Sequence, residues 1–205
     1  WILLRPTSPD FSQFYVGGLV ASRGEWSALY PLPLKGSVDN AGLNIHSFAK
    51  PRWKALCLAN RVNDRTHFIL PPPAALLFIP FSWLTYNQAF WVWTFLLSLC
   101  VWGVALIAGR LYRHLHGEPT RYEGLLAVLI VLSPMTARAI RIANVSPPVA
   151  LLIGVTLLAL MHRERPAPGT GAAAVILGAI LKYATLIVAP LMLAMKRWQM
   201  ILWMA

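Results

Sequence analysis

Ala89-Phe90-Trp91-Val92-Trp93-Thr94-Phe95-Leu96-Leu97-Ser98-Leu99-Cys100-Val101-Trp102-Gly103-Val104-Ala105-Leu106-Ile107-Ala108 runs for twenty residues without a formal charge. A helix of ~20 apolar residues crosses the hydrocarbon core of a bilayer, so this stretch reads as a transmembrane span. Around it, 58% of the 205 residues are hydrophobic and only 12% are charged, where a soluble domain carries about a quarter charged. The fold class predicted is an all-α polytopic membrane protein.

Toward the N-terminus, Asn87 and Gln88 break off a shorter apolar run from Ala74 to Leu84. Pro71-Pro72-Pro73 opens that run and Pro80 interrupts it, so it reads as a tilted or partly re-entrant helix. Toward the C-terminus, Arg110, Arg113, His114, His116 and Arg121 form a short basic loop, which the positive-inside rule puts in the cytoplasm. Leu125 to Thr136 then crosses back, kinked near Pro134. The chain turns at Arg138, Arg141, Asn144 and Ser146-Pro147-Pro148, and Val149 to Met161 crosses again. His162-Arg163-Glu164-Arg165-Pro166 is the second cytoplasmic loop. The last apolar segment, Ala172 to Met195, is interrupted by Lys182-Tyr183; two half-length helices meeting there keep both flanking basic clusters inside. The first residue is Trp1 and the last lies within an apolar segment, as expected of a piece of a longer protein.

This topology puts residues 1–70, a polar stretch punctuated by Pro31, Pro33, Gly36, Asn40, Gly42 and Pro51, on the outer face. Residues 71–205 form the membrane region. Arg138 and Arg141 then also lie outside, against the rule, as they would if they bind something there. The net charge of +11 belongs largely to the flanks of apolar segments, where anionic head groups attract it, and not to a nucleic-acid surface. Cys57, in a polar loop, and Cys100, in an apolar segment, are not expected to pair. No metal-ligand spacing, GxGxxG, GxxxxGK[ST], HExxH or Gly-x-Ser-x-Gly is present.

Four places carry candidate chemistry. Phe11, Phe14, Tyr15, Leu19 and Val20 recur at helical spacing, predicting a short amphipathic helix on the membrane surface with Asp10 at its N-terminus. Asp10 is either a general base at the membrane–water boundary or simply the N-cap. Lys182 is a functional cation within the membrane or a snorkelling lysine. Arg138 and Arg141, three apart, share one helical face and suit a phosphate, or else anionic lipid head groups. His67 precedes the rigid Pro71-Pro72-Pro73 turn, or is a solvated loop residue. A sugar on a polyprenyl phosphate has a good leaving group already, so one carboxylate as base and cations for the developing phosphate charge form a minimal set.

The order of motifs resembles the GT-C glycosyltransferases, in particular the family 87 group of polyprenol-phosphate-mannose-dependent mannosyltransferases (the DUF2029 domain). Asp10-Phe11-x-x-Phe14-Tyr15, Gly24 and Leu29-Tyr30 are similar to that group's first outer loop. Phe68-x-x-Pro71-Pro72 with Pro80 and Leu84, then Ala89-Phe90-Trp91, Asn144-Val145 and Gly178-x-x-x-Lys182 with Pro190 and Lys196-Arg197-Trp198, follow in the group's order. The resemblance implies a GT-C transmembrane bundle with a long first outer loop carrying short interfacial helices. It implies inverting transfer of a sugar, usually mannose, from a polyprenyl-phosphate donor to a lipid or glycan acceptor on the periplasmic face of the inner membrane. It maps the base to Asp10 and makes Lys182 a candidate for the phosphate side, with no cofactor or metal; with Arg138, Arg141, Asn144, Tyr15 and His67, Lys182 completes the expected donor-phosphate or substrate-binding set. The sequence departs from the pattern at Ile69-Leu70, where a tyrosine is expected before Pro71, at Ala143-Asn144 in place of Gly-Gln, and at Tyr183 in place of proline. The competing readings are a transporter or flippase-like protein and a non-catalytic membrane subunit.

Overall fold

The computed structural model describes residues 9–30, 51–62, 68–117, 121–161, 168–182 and 190. Among them every regular element is helical: α1 (Pro9–Ser22), a 3-10 turn (Trp26–Ala28), α2 (Pro51–Ala59), α3 (Ala74–Leu77), a second 3-10 turn (Ile79–Trp83), α4 (Tyr86–His116), α5 (Arg121–Leu132), α6 (Pro134–Arg141), α7 (Ser146–Met161) and α8 (Pro168–Leu181). The described residues fall into two compact units. One is drawn from Trp1–Trp93 with Arg141–Ala143, the other from Thr94–Ile140 with Asn144–Ala205.

The first unit is organised around α1. The predicted amphipathic helix is instead a core helix: every residue from Phe11 to Ala21 is buried. A helix covered on all sides has no solvated face to lay on a membrane surface. Its polar positions are covered too, Ser12 by a hydrogen bond with the Tyr86 hydroxyl at 3.0 Å. Phe11 sits within 6.4 Å, ring to ring, of Phe81, Tyr86, Phe90 and Trp93, and Phe14 stacks on Phe78 at 4.9 Å. Such pairs add about 0.5–1.5 kcal/mol each beyond the area they bury. Gly17 and Gly18 let neighbours in: a Cβ on Gly18 would overlap the Phe78 carbonyl oxygen, and one on Gly17 would stand 2.6 Å from the Phe68 ring. Gly24, at φ 68°, ends α1 in the left-handed conformation.

The stretch expected to be irregular contains α2, with Pro51 at its first position, where the missing N–H does no harm. Cys57 is buried on this helix and not in a loop, and it does not pair with Cys100. The Ala74 to Leu84 run is no continuous helix. It breaks at Phe78 into α3 and the Ile79–Trp83 turn.

Asn87 and Gln88 do not break a run but begin α4. The Thr85 N–H donates to Gln88 Oε1 at 3.1 Å and the Gln88 N–H to Thr85 Oγ1 at 3.5 Å, a reciprocal capping box. At 1.5 Å per residue α4 is ~46 Å long. It continues through His116, so the basic residues from Arg110 to His116 lie on the helix and not in a loop. Cations are favoured at a helix C-terminus, and no breaker precedes Gly117 at φ 78°. Trp91, Phe95, Leu99, Trp102 and Leu106 form one exposed apolar stripe along it.

In the second unit, Arg113 makes a paired ion contact with Glu123 (Nη2–Oε2 2.6 Å). The kink expected near Pro134 is present. α5 and α6 meet at 41°, with Ser133 Oγ accepting the Thr136 N–H at 3.1 Å as N-cap and Pro134 at the first helical position. α6 ends in a left-handed residue, Ala143 at φ 51°, and the Asn144 N–H returns to the Ala139 carbonyl at 2.9 Å, closing a Schellman motif. α7 packs on α8 through Leu160 and Val175, and on α4 at Gly103 and Gly154, where a Cβ would stand 2.7 Å and 2.9 Å from Leu151 and Ile107. α8 stops at Leu181, at the interruption expected before Lys182-Tyr183; residues 183–189 lie outside the described set.

Among the described residues one helix, α4, is long and apolar enough to cross a membrane, or two if the bent pair α5–α6 is one span. α7 and α8, at 16 and 14 residues, are apolar but shorter.

Candidate active site

Asp10 occupies the second position of α1, after Pro9. The N-cap reading places the acid just outside the helix. Here it lies in the first turn of the helix. A carboxylate there is favoured by the positive end of the helix, by about 0.3–1 kcal/mol. Asp10 is half-buried, and the residues that follow it are sealed.

Tyr15 is held one turn on. Its hydroxyl donates to the Leu84 carbonyl at 2.8 Å and, more weakly, toward Asn60 Oδ1 at 3.4 Å. Its ring is 5.3 Å from Tyr86. Burial lifts its phenol above the ordinary range, with the Arg23 charge pulling it back, so it stays a donor at physiological pH. The Tyr30 hydroxyl similarly donates to the Leu70 carbonyl at 2.7 Å. The side chains of the resemblance motifs around Asp10 thus dock α1 and its following turn onto backbone carbonyls of residues 68–84.

Of the other expected residues, Arg138 and Arg141 are exposed on α6, and neither forms an ion pair with another described residue. The opposite face of α6, through Met135, Thr136 and Ala139, lines an apolar cleft of about 180 Å³ with Val101, Val104, Ile130, Ser146, Pro147 and Ala150. Asn144 Oδ1 accepts both the Ser146 N–H (2.9 Å) and the Ser146 hydroxyl (2.5 Å), holding the turn into α7. Lys182 is exposed directly after α8, its N–H donating to the Gly178 carbonyl at 2.7 Å. His67 lies outside the described residues. Asp10 and Tyr15 share α1 in the first unit. Arg138, Asn144 and Lys182 belong to the second. Among the described residues no three of His, Cys, Asp or Glu gather as metal ligands.

Sequence reasoning passed over Gln13, buried three residues after Asp10, and the Gly17-Gly18 pair. The glycines carried a signal: two in mid-helix weaken a helix unless something must approach it closely.

The fold and the site define an all-helical protein with a membrane-length helix and a single acid at the head of a buried helix. The family is given by comparison: the model of glycosyltransferase family 87 matches residues 68–205, more than half of the chain. The chain belongs to glycosyltransferase family 87. It is a glycosyltransferase, with a sugar donor and an acceptor as substrates, and members of the family are membrane proteins. That decides for the glycosyltransferase reading over the transporter. No curated protein and no solved structure matches the chain. The family match begins at Phe68, so α1 and Asp10 lie outside it.

Proposed function

We propose that the protein is a multi-pass inner-membrane glycosyltransferase. It moves a hexose, mannose, from a polyprenyl-phosphate donor to a lipid or glycan acceptor on the periplasmic face. The observation that carries the role of α1 is its packing. The helix bearing Asp10 is buried against Phe78, Phe81, Leu84, Tyr86 and Phe90, all within the segment that matches the family. The acid is therefore held on the family's own scaffold and not on a loose loop.

In the reaction the acceptor hydroxyl oxygen attacks the anomeric carbon from the face opposite the phosphate. Asp10 takes the hydroxyl proton as the new C–O bond forms. The bond from the anomeric carbon to the phosphate oxygen breaks, inverting that carbon, and polyprenyl phosphate leaves with the electron pair. Exposed guanidinium and ammonium groups suit the charge that grows on that phosphate; Arg138, Arg141 and Lys182 are the groups assigned to it, with His67 as a further substrate-binding candidate. Tyr15 and Asn144 act by fixing the elements that carry these groups. The donor is itself the activated sugar, so no cofactor is consumed. The apolar stripe of α4 faces lipid.

The test uses the full-length protein in membranes with labelled polyprenyl-phosphate-mannose. Asp10→Asn keeps the size and loses the base, and transfer should fall by at least ~10²-fold at normal expression. Transfer that persists would return Asp10 to a helix-stabilising role and remove the base from the mechanism.

A further inference from the structure

Among the described residues two side chains keep a buried polar atom without a hydrogen-bond partner, Gln13 through Oε1 and Thr94 through Oγ1. A helical threonine satisfies its hydroxyl by turning toward the carbonyl four residues back. A carboxamide has no such recourse, and an unpaired one inside a protein is destabilising. Gln13 is only 5% exposed and stands three residues after Asp10, so the two side chains share one face of α1. Asp10 is half-buried and Gln13 lies deeper. One turn on, Gly17 has no side chain and the Phe68 ring fills its place. That face of the helix reads carboxylate, carboxamide, aromatic ring.

We infer that Gln13 is a substrate-positioning residue whose carboxamide pairs with a ring hydroxyl of the sugar held beside Asp10. The inference rests on the reading of Asp10 as base. The chemistry of the partner follows from the orphaned atom. Oε1 needs a donor, which an ionised phosphate and a polyprenyl chain both lack. A hydroxyl donates and accepts, so it satisfies the carboxamide in either orientation. Donor sugar and glycan acceptor both offer such a group. The native fold tolerates an unsatisfied amide because substrate completes it, the trade of stability for function common at active sites.

The experiment uses the full-length protein in membranes with polyprenyl-phosphate-mannose, comparing Gln13→Met, which is similar in size and apolar, with Gln13→Glu, which keeps an acceptor. Gln13→Met should match or exceed the wild-type Tm, because an unpaired polar group has gone, while kcat/KM falls roughly 10- to 100-fold. Gln13→Glu should recover part of the loss. A rise in KM for the mannosyl donor assigns the hydroxyl to the donor, and a rise in KM for the acceptor assigns it there. The rise in Tm that the donor lipid induces is read in parallel, so that binding is scored without turnover. Wild-type transfer by Gln13→Met overturns the inference, and so does a Tm that falls, which would mean the carboxamide has a structural partner. Loss of transfer in Asp10→Asn with none in Gln13→Met sinks this inference alone. Persistence of transfer in Asp10→Asn sinks the base reading, and Gln13 is then judged by the donor-induced Tm shift and the two KM values: a reduced shift or a raised KM supports it, and all unchanged overturns it.

Discussion

Replacing Gly18 with alanine should destabilise the protein, although alanine is the better helix former by about 1 kcal/mol. A Cβ at Gly18 overlaps the Phe78 carbonyl oxygen and stands 2.6 Å from its carbonyl carbon and 3.1 Å from its Cβ. Two of these three atoms are backbone, so no rotamer change relieves the contact, and α1 must move away from the Phe78 turn. Overpacking of this kind costs about 1–3 kcal/mol. Movement also loosens the Phe14–Phe78 stack at 4.9 Å, worth about 0.5–1.5 kcal/mol. After the gain in helix propensity, a net loss of about 1–3 kcal/mol remains. At ~2–4 °C per kcal/mol for a chain of this size, Tm should drop by about 2–12 °C. Gly17→Ala is the internal control, because its Cβ meets only the Phe68 ring, a side chain that can swing, and its loss should be smaller. Thermal unfolding of the purified full-length protein in detergent reads both variants. A Gly18→Ala protein as stable as wild type, or more so, would show that propensity governs this position and that α1 does not lie against Phe78.

Two further outcomes follow from local chemistry. Ala143 holds φ 51°, a conformation that costs a non-glycine residue about 1–2 kcal/mol, while its carbonyl accepts the Trp93 indole N–H at 3.0 Å; Ala143→Gly relieves that cost but loses about 0.4–1 kcal/mol to unfolded-chain entropy and about 0.8 kcal/mol with the buried methyl, so Tm should stay within about 3 °C of wild type, and a much larger drop would refute the strain. The exposed Glu25–Arg52 pair at 2.6 Å holds Glu25 below the usual carboxylate range, first through the hydrogen bond from Arg52. A depressed carboxylate stabilises the fold above its unfolded pKa of ~4.3 and loses that contribution as pH falls through its folded value. Glu25→Gln should therefore lower Tm slightly at pH 7, less in high salt, and progressively less as pH falls into the acid range; a gap that does not shrink with falling pH would mean the pair acts through packing.

The sequence made the breaks in the chain readable and left their partners hidden. Pro134 announced the kink between α5 and α6, because proline cannot donate into a helix and clashes with the preceding turn. Lys182 marked the end of α8 for a related reason, since an ammonium interrupts an apolar run. The apolar stretch after Ala89 gave α4, though its start was misjudged: Gln88 looked like a break in hydropathy and is the second half of the Thr85–Gln88 capping box. The basic residues from Arg110 to His116 looked like loop for the same reason, since charge was weighed and the absence of a helix breaker was not. The surface placing of α1 failed more deeply. Periodicity within one helix cannot say what covers the remaining face, and the covering residues, from α2 and from Phe68 to Trp93, lie tens of positions away. Of the candidate site, Asp10 was legible as an acid at a helix start. Gln13 was not, because an orphaned polar atom is visible only once its surroundings are packed.

The packing of α1 also changes what the resemblance motifs mean. Tyr15 and Tyr30 give their hydroxyls to the Leu84 and Leu70 carbonyls, Phe14 gives its ring to Phe78, and Gly24 ends the helix at φ 68°. Each of these is a fastening, and none needs to touch a substrate. A general base works best when its carboxylate is held within about 0.5 Å of its productive position, and a packed helix holds that more tightly than a loop. Fastening residues and chemical residues therefore separate along the same short stretch: aromatic rings and glycines bind α1 to residues 68–93, while Asp10 and Gln13 alone offer polar atoms on their shared face. Changes to the first group should move Tm and activity together. Changes to the second should cut activity far more than they move Tm, and that split is what separates a catalytic helix from a merely buried one.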